Sequence, residues 1–137
     1  MMLVRLIYAS TKTEHWNDYE LKQLIDQSTE RNRKECITGV LIFNRKYFLQ
    51  CIEGKRSKVS ELYARILHDK RHKNVQLLTL EEIDEREMER WSMCYVPDSQ
   101  ITQEMVLKYS DTTDFDPYDM TAKGALAFLR RSCELLN

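Results

Sequence analysis

The first forty residues change from a strand pattern to a helical one. Residues 2–9 alternate with the period of a β-strand, and Tyr8 shares a face with Val4 and Leu6. Asp18 is placed to cap a helix that runs to about residue 32. The stripe of that helix, at the spacing of one helical face, consists of Leu21, Leu24, Ile25, Ser28 and Asn32. A polar residue, Asn32, therefore closes a stripe that begins apolar.

Two further strands are predicted at about residues 37–43 and 47–53, joined by a tight turn at 44–46. In the second strand, alternation places Phe48, Gln50 and Ile52 on one face. Gln50 is thus the polar member of an apolar face. A buried carboxamide costs free energy unless its donors and its acceptor find partners. The pattern therefore raises the question of what Gln50 bonds.

A second helix and two more strands complete the predicted domain. Ser57 is the candidate N-cap of a helix to about residue 69, whose stripe consists of Val59, Leu62, Tyr63 and Ile66. Residues 75–83 and 89–96 have strand patterns, and the second of them carries Trp91 and Met93 on one face. The order β-α-β-β-α-β-β predicts an α+β, ferredoxin-like fold with two helices on one sheet face.

The composition shifts after residue 97. A short amphipathic segment at about 102–109 is followed by an Asp/Thr-rich loop and a final helix over 121–136, which Thr121 can cap. The apolar face of that helix consists of Ala125, Phe128, Leu129, Cys133 and Leu136. We expect a domain over residues 1–97 and a C-terminal helical extension over residues 98–137, which packs on the sheet or serves as an oligomer interface.

Composition and charge exclude several functional classes. The length of 137 residues fits one domain, and a net charge of -1 gives no electrostatic footprint for nucleic acid. No apolar run approaches the roughly 18 residues of a membrane span, and the first residues lack a signal-peptide pattern. Four cysteines without metal or redox spacing predict reduced thiols. We expect a cytoplasmic protein with no membrane or nucleic-acid partner.

Three polar side chains are predicted to converge between the two helices. Tyr8 and Gln50 point to the helix-covered face of the sheet, and Asn32 lies at the C-terminal end of the first helix. One interpretation is a satisfied polar cluster in an ordinary core. The other is a pocket for a flat heteroaromatic ligand, since carboxamides match a ring edge that has both donors and acceptors. The residues alone leave both open.

The second helix carries a separate group of charged residues. Arg65 and Asp69, at i and i+4, are either a surface ion pair or contacts for an anionic ligand tail. Arg71 and His72 follow at the helix end. His68 and His72 have helical spacing but lack a third ligand, so no metal site is expected.

Four segments together resemble the BLUF domain, a flavin-binding blue-light sensor: "RLIYAS", "ITGVLIFNRKYFLQCIEG", "VSELYARILHDKRH" and "RWSM". Their order and spacing match across residues 2–97. The downstream "LKYSDTTDFDPYDMTAKGALAFLR" resembles the C-terminal extension of short, single-domain BLUF photoreceptors of the PixD-like type. The resemblance implies an FAD held without a covalent bond between the two helices.

The resemblance also implies roles for single residues. Tyr8 would supply an electron and a proton to the light-excited flavin, and the hydrogen bonds of Gln50 would rearrange. Trp91 and Met93 would transfer the signal through the last strand. Tyr8 and Gln50 would also contact the flavin, together with Ile25, Asn32, Phe48, Arg65, Ile66, Asp69 and His72. Four positions depart from the family pattern: Arg31, Cys36, where Gly is common, Phe43 and Cys51.

The leading hypothesis is a non-enzymatic sensor whose output is a change in contact with a separate regulator protein. The resemblance implies a homo-oligomer, a dimer or a larger ring, and the apolar face of the C-terminal helix is a candidate contact surface. The alternative is a small flavin reductase or a hydrolase on a ferredoxin-like scaffold, although no nucleophile–base pair or Gly-rich phosphate loop is visible. An RNA-binding module lacks its basic–aromatic pattern here.

Overall fold

The computed structural model describes residues 2–136, apart from the side chains of Asp18 and Asp98. Within that range one mixed sheet consists of β1 (Leu3–Lys12), β2 (Thr38–Phe43), β3 (Tyr47–Lys55), β4 (His72–Ile83) and β5 (Cys94–Val96). The strands lie in the order β4-β1-β3-β2-β5. β5 runs parallel to β2, and the other neighbouring strands are antiparallel. The predicted α+β, ferredoxin-like fold is confirmed.

The helices cover both faces of the sheet. They are α1 (Asp18–Lys34), α2 (Arg56–Leu67), α3 (Gln103–Tyr109) and α4 (Ala122–Leu136). Residues of α1 and α2 pack with Tyr8, Phe48 and Ile52 on one face. Residues of α4 pack with Ile7 and Leu49 on the other. Because strand side chains alternate, the apolar residues of β1 and β3 supply both cores.

The register of β1 and β3 explains why the polar residues meet. Tyr8 is the partner of Gln50 in this antiparallel pair. Residues directly opposite each other in such a pair place their side chains on the same face, a few ångströms apart. Both side chains therefore point toward α1 and α2, as the alternation predicted, while Cys51 lies in the cluster on the opposite face.

The helix caps were predicted with mixed success. The N-cap of α1 is Asn17, whose side chain accepts a hydrogen bond from the Glu20 amide, and not Asp18. The backbone cap of α2 is Lys55, so the expected Ser57 cap is wrong. Thr121 caps α4 as predicted, since its hydroxyl accepts a hydrogen bond from the Gly124 amide at 2.9 Å. Cys36, just after α1, has a φ of 57°, the left-handed region that favours glycine.

The expected strand over residues 89–96 is mostly absent. Regular pairing is confined to Cys94–Val96, and residues 84–93 form the β4–β5 loop. Trp91 packs against the cluster on the α4 side, whereas Met93 packs against the clusters on the α1/α2 side. The expectation that they share a face is wrong, because the period-2 rule does not hold in a loop.

The C-terminal segment is integrated into the same molecule. The predicted apolar face of α4 is buried against the sheet at Ala125, Phe128, Leu129 and Cys133, whereas Leu136 is exposed. That face is therefore not available as a contact surface. The boundary after residue 97 stays a prediction, and one hydrophobic cluster crosses it.

The cysteine prediction was wrong for one pair. Cys94 of β5 and Cys133 of α4 form a disulfide, 39 residues apart in sequence, while Cys36 and Cys51 are free thiols. Across residues 2–136, no helix combines the length and the apolar character that a membrane crossing requires.

Candidate functional site

A cavity of about 250 Å³ opens between α1 and α2, above the sheet. It gathers residues from β1, β3 and both helices, which lie far apart in the sequence. The predicted site residues that line it are Tyr8, Ile25, Asn32, Phe48, Gln50, Arg65, Ile66, Asp69, His72 and Met93. Trp91 is outside the described lining and packs behind the sheet.

At the inner end of the cavity, Gln50 bridges a phenol and a thioether. The Tyr8 hydroxyl donates to Gln50 Oε1 at 2.5 Å, and Gln50 Nε2 donates to Met93 Sδ at 3.5 Å. Tyr8 is 1% and Gln50 8% exposed. Burial raises the pKa of Tyr8 far above its usual value, so the phenol keeps its proton at neutral pH. These contacts answer what Gln50 bonds.

Asn32 ties α1 to the β4–β5 loop. Its Nδ2 donates to the Ser92 carbonyl at 3.2 Å, and the residue is 2% exposed. Ser92 immediately precedes Met93. The polar residue that closes the α1 stripe therefore bonds the residue next to Met93, whose sulfur accepts from Gln50.

The charged mouth of the cavity decides against one of the two interpretations of Arg65 and Asp69. Asp69 pairs with Arg71 at 2.7 Å, so the surface ion pair between Arg65 and Asp69 is not formed. The i, i+4 rule does not hold there because α2 ends at Leu67, before Asp69. Partial burial opposes ionisation of Asp69, but the hydrogen bonds and charge of Arg71 outweigh it and lower its pKa. Arg65 is exposed, and its side chain forms no hydrogen bond or ion pair within residues 2–136.

His72 lies deeper, beside Tyr8 and Phe48. Its Nδ1 is 2.8 Å from the Ser10 hydroxyl, and its ring centroid is 4.9 Å from that of Phe48. Burial lowers the pKa of His72 to about 4, so the imidazole is neutral at physiological pH. A neutral ring can accept as well as donate a hydrogen bond at this wall.

Several lining residues were not predicted from the sequence. Trp16 packs on Phe48 with centroids 5.0 Å apart, and its Nε1 donates to the Arg71 carbonyl. Its signal was an aromatic residue within a polar segment before the first helix. The other lining residues that the sequence analysis did not assign to the site are Leu24, Gln27, Ser28, Arg31, Leu41, Leu62 and Arg71.

These residues fit a flat heteroaromatic group with an anionic tail. Ile25 and Ile66 supply apolar walls, and the carboxamides at the inner end offer both donors and acceptors. Arg65 and Arg71 supply guanidinium groups at the mouth, which suit phosphate oxygens. No group of three metal-ligating side chains occurs in the described part of the chain.

Comparison with known proteins identifies the kind of domain. A family model described as BLUF, sensors of blue light using FAD, matches residues 3–94. The structure of BlsA in its photo-activated state superposes with a TM-score of 0.84 at 32% identity, covering 96% of this chain and 95% of that one. BlrB, a BLUF protein in its dark state, gives 0.78 at 29% identity, covering 99% and 98%.

A curated relative matches over a shorter region. The blue light- and temperature-regulated antirepressor BluF of Escherichia coli (strain K12) is 32% identical over 74 residues, which are 54% of this chain and 18% of that protein. This chain spans between 13% and 18% of the length of the first curated relatives that it matches.

Proposed function

The chain belongs to the BLUF family of sensors of blue light using FAD, and we propose on that premise that it senses blue light with FAD held in the cavity between α1 and α2. The observation that carries the proposal is the hydrogen-bonded series Tyr8–Gln50–Met93 at the inner end of that cavity. It joins a proton donor, a group that both donates and accepts, and a side chain of the loop that leads into β5.

Different residues of the cavity would contact different parts of the cofactor. Ile25, Ile66 and Phe48 would enclose the ring system, and Asn32 and Gln50 would meet its polar edge. Arg65, together with the Asp69–Arg71 pair and His72, would face the part of the FAD molecule that carries the phosphates. Bound flavin supplies the blue absorption and, when excited, a strong oxidant.

Tyr8 and Gln50 can then move a proton between stated atoms. The Tyr8 hydroxyl donates its proton in a hydrogen bond to Gln50 Oε1, and Gln50 Nε2 carries two protons of its own. A net shift of one proton from Nε2 to Oε1, with the phenol oxygen of Tyr8 protonated again at the end, would convert the amide to its tautomer, whereas a 180° rotation would exchange Oε1 and Nε2. Rotation would put Oε1 in place of Nε2, and the tautomer would keep only one proton on Nε2, so either change can end the donation to Met93 Sδ.

Loss of that contact gives the signal a route to the surface. Met93 is followed directly by Cys94, the first residue of β5, so its displacement would act on the edge of the sheet. Met93 is the transmitting residue in this proposal, and Trp91 takes part from the opposite side. A change at a bound ligand produces an output only if it shifts the equilibrium between two conformations of the protein, here of Met93 and the start of β5.

We propose that the chain acts as a sensor and not as an enzyme, which its match to BlsA and to the BLUF protein BlrB along nearly their whole length supports. We propose a separate regulator as partner and a homo-oligomer in the cytoplasm. Two leucines of the edge strand β4, Leu77 and Leu80, are about half exposed and support a protein contact there.

A single sample separates the sensor from a flavin reductase. The purified protein, loaded with FAD, is illuminated with blue light, and NADH or NADPH oxidation is then followed in the dark and in the light. A blue-light sensor should show a reversible spectral change and no oxidation of NADH or NADPH. Steady turnover without a reversible spectral change would reject it in favour of the reductase.

A further inference from the structure

A buried carboxylate on the far face of β3 holds the β4–β5 loop. Glu53 is three residues beyond Gln50, points to the opposite face and is 0% exposed. Its Oε1 accepts from the Met88 amide at 2.7 Å, and its Oε2 accepts from the Glu87 amide at 3.1 Å. Both donors belong to the loop and not to the sheet.

The charge of Glu53 is compensated from β1. Arg5 contacts Glu53 Oε2 through Nε and Nη2, both at 2.9 Å, and reaches Glu81 through Nη1. A buried carboxylate persists only when it is paired and its lone pairs are filled, as they are here. The pairing fixes the carboxylate, so the two loop amides that it accepts from are fixed with it.

Other contacts carry this anchoring along the loop. Met88 is 0% exposed, and Arg86 donates to the Thr38 hydroxyl and to the carbonyls of Glu53 and Cys36. The Trp91 carbonyl accepts from the Gly39 amide at 2.9 Å. Anchored at Glu53 and at β2, the loop has little freedom left before Met93.

We infer that Glu53 is a positioning residue, which holds the β4–β5 loop so that Met93 Sδ faces Gln50. It acts through the loop and does not line the cavity. The placement of Met93 depends on contacts within the protein and can be tested without flavin or light. Its consequence for dark recovery rests on the proposed function.

The placement is tested by NMR on protein labelled with ¹³C at the methionine methyl groups, kept in the dark. Glu53→Gln keeps the shape of the side chain but replaces one acceptor oxygen by an NH₂ group, which cannot accept from an amide. The Met93 methyl signal, assigned with Met93→Leu, should shift by more than its linewidth. Met105 and Met120, in the cluster on the α4 side, should not move.

The matched control is Glu82→Gln, the same chemical change at an exposed ion pair with Arg56. It should leave the Met93 signal in place. If Glu53→Gln does not fold, Glu53→Asp is used, which keeps the charge but shortens its reach toward the two amides. A Met93 signal that stays unshifted in the folded variant would overturn the inference.

The photochemical arm uses the same variants loaded with FAD. In Glu53→Gln the β4–β5 loop no longer holds Met93 in its dark-state position. The return to the dark state should therefore be at least threefold slower than in Glu82→Gln. Recovery as fast as the control would overturn the role in the photocycle. If the unmodified protein shows no photocycle, the proposed function fails, while the methyl shift still decides the placement.

Discussion

The Tyr8–Gln50 contact makes a quantitative prediction about the protein without flavin. Both groups are buried, so removing one leaves the other without its partner. A buried polar group left unsatisfied costs about 1–3 kcal/mol, whereas replacement of both partners by apolar groups is nearly neutral. Tyr8→Phe and Gln50→Leu should therefore destabilise the protein singly, and the double variant should be more stable than the sum of the two predicts.

The expected coupling free energy is about 1–3 kcal/mol. The assay is urea unfolding of flavin-free protein in the dark, followed by circular dichroism, because bound ligand would add its own stabilisation. For a chain of this length, each kcal/mol also corresponds to a shift of roughly 4 °C in Tm. The four proteins of the cycle are measured under one set of conditions.

The matched control combines Tyr8→Phe with Ser132→Ala. The Ser132 hydroxyl is also buried and donates to the Phe128 carbonyl, but on the other side of the sheet. Changes without shared partners usually add within about 0.5 kcal/mol. Additive free energies for Tyr8→Phe and Gln50→Leu as well would refute the contact and the bridging role of Gln50.

Three further outcomes are expected. Tyr8→Phe should keep bound flavin but lose the reversible red shift after blue light, since the phenol proton is gone. A light-minus-dark spectrum equal to that of the unmodified protein would contradict the role of Tyr8. The pKa of His72 is 6.5 in the unfolded chain and about 4 in the folded protein, so between these values the unfolded chain binds more protons. As the pH falls through this range, the free energy of unfolding should fall by up to about 1.4 kcal/mol per pH unit. In His72→Asn, the free energy of unfolding measured with urea should depend less on pH over the same range. Arg65→Gln should weaken binding of FAD while riboflavin, which lacks phosphate, binds as before; equal losses in a fluorescence titration would exclude a phosphate contact.

Much of the site was predictable because it lies on regular elements. The alternation of β1 and β3 placed Tyr8 and Gln50 on the helix-covered face, and the helical spacing of α1 placed Ile25 and Asn32 beside them. Where a period holds, it determines which side chains share a face. The resemblance of the short motifs then supplied the hypothesis that this cluster binds a flavin.

The parts that failed belong to loops. Met93 and Trp91 lie on opposite sides of the sheet because residues 84–93 do not pair as a strand. The Asp69–Arg71 pair lies beyond the end of α2 at Leu67, where helical spacing no longer determines which side chains meet. Trp16 reached the cavity through a segment without any period.

Glu53 shows what a pattern cannot convey. Its position on β3 was predictable, but a glutamate on a buried face reads as a conflict until its partners are known. They come from β1 and from a loop more than thirty residues later in the chain. Long-range hydrogen bonds of this kind have no local signature in one sequence.

The most direct test of the account is the absorption spectrum of the FAD-loaded protein, taken in the dark and just after blue light, beside that of Gln50→Leu with equal flavin content. We expect a small red shift of the flavin absorption that reverses in the dark for the unmodified protein, and no shift for Gln50→Leu. A protein that shows no shift, or a Gln50→Leu variant that shifts equally, would contradict the assignment of Gln50 as the light-responsive centre of the cavity.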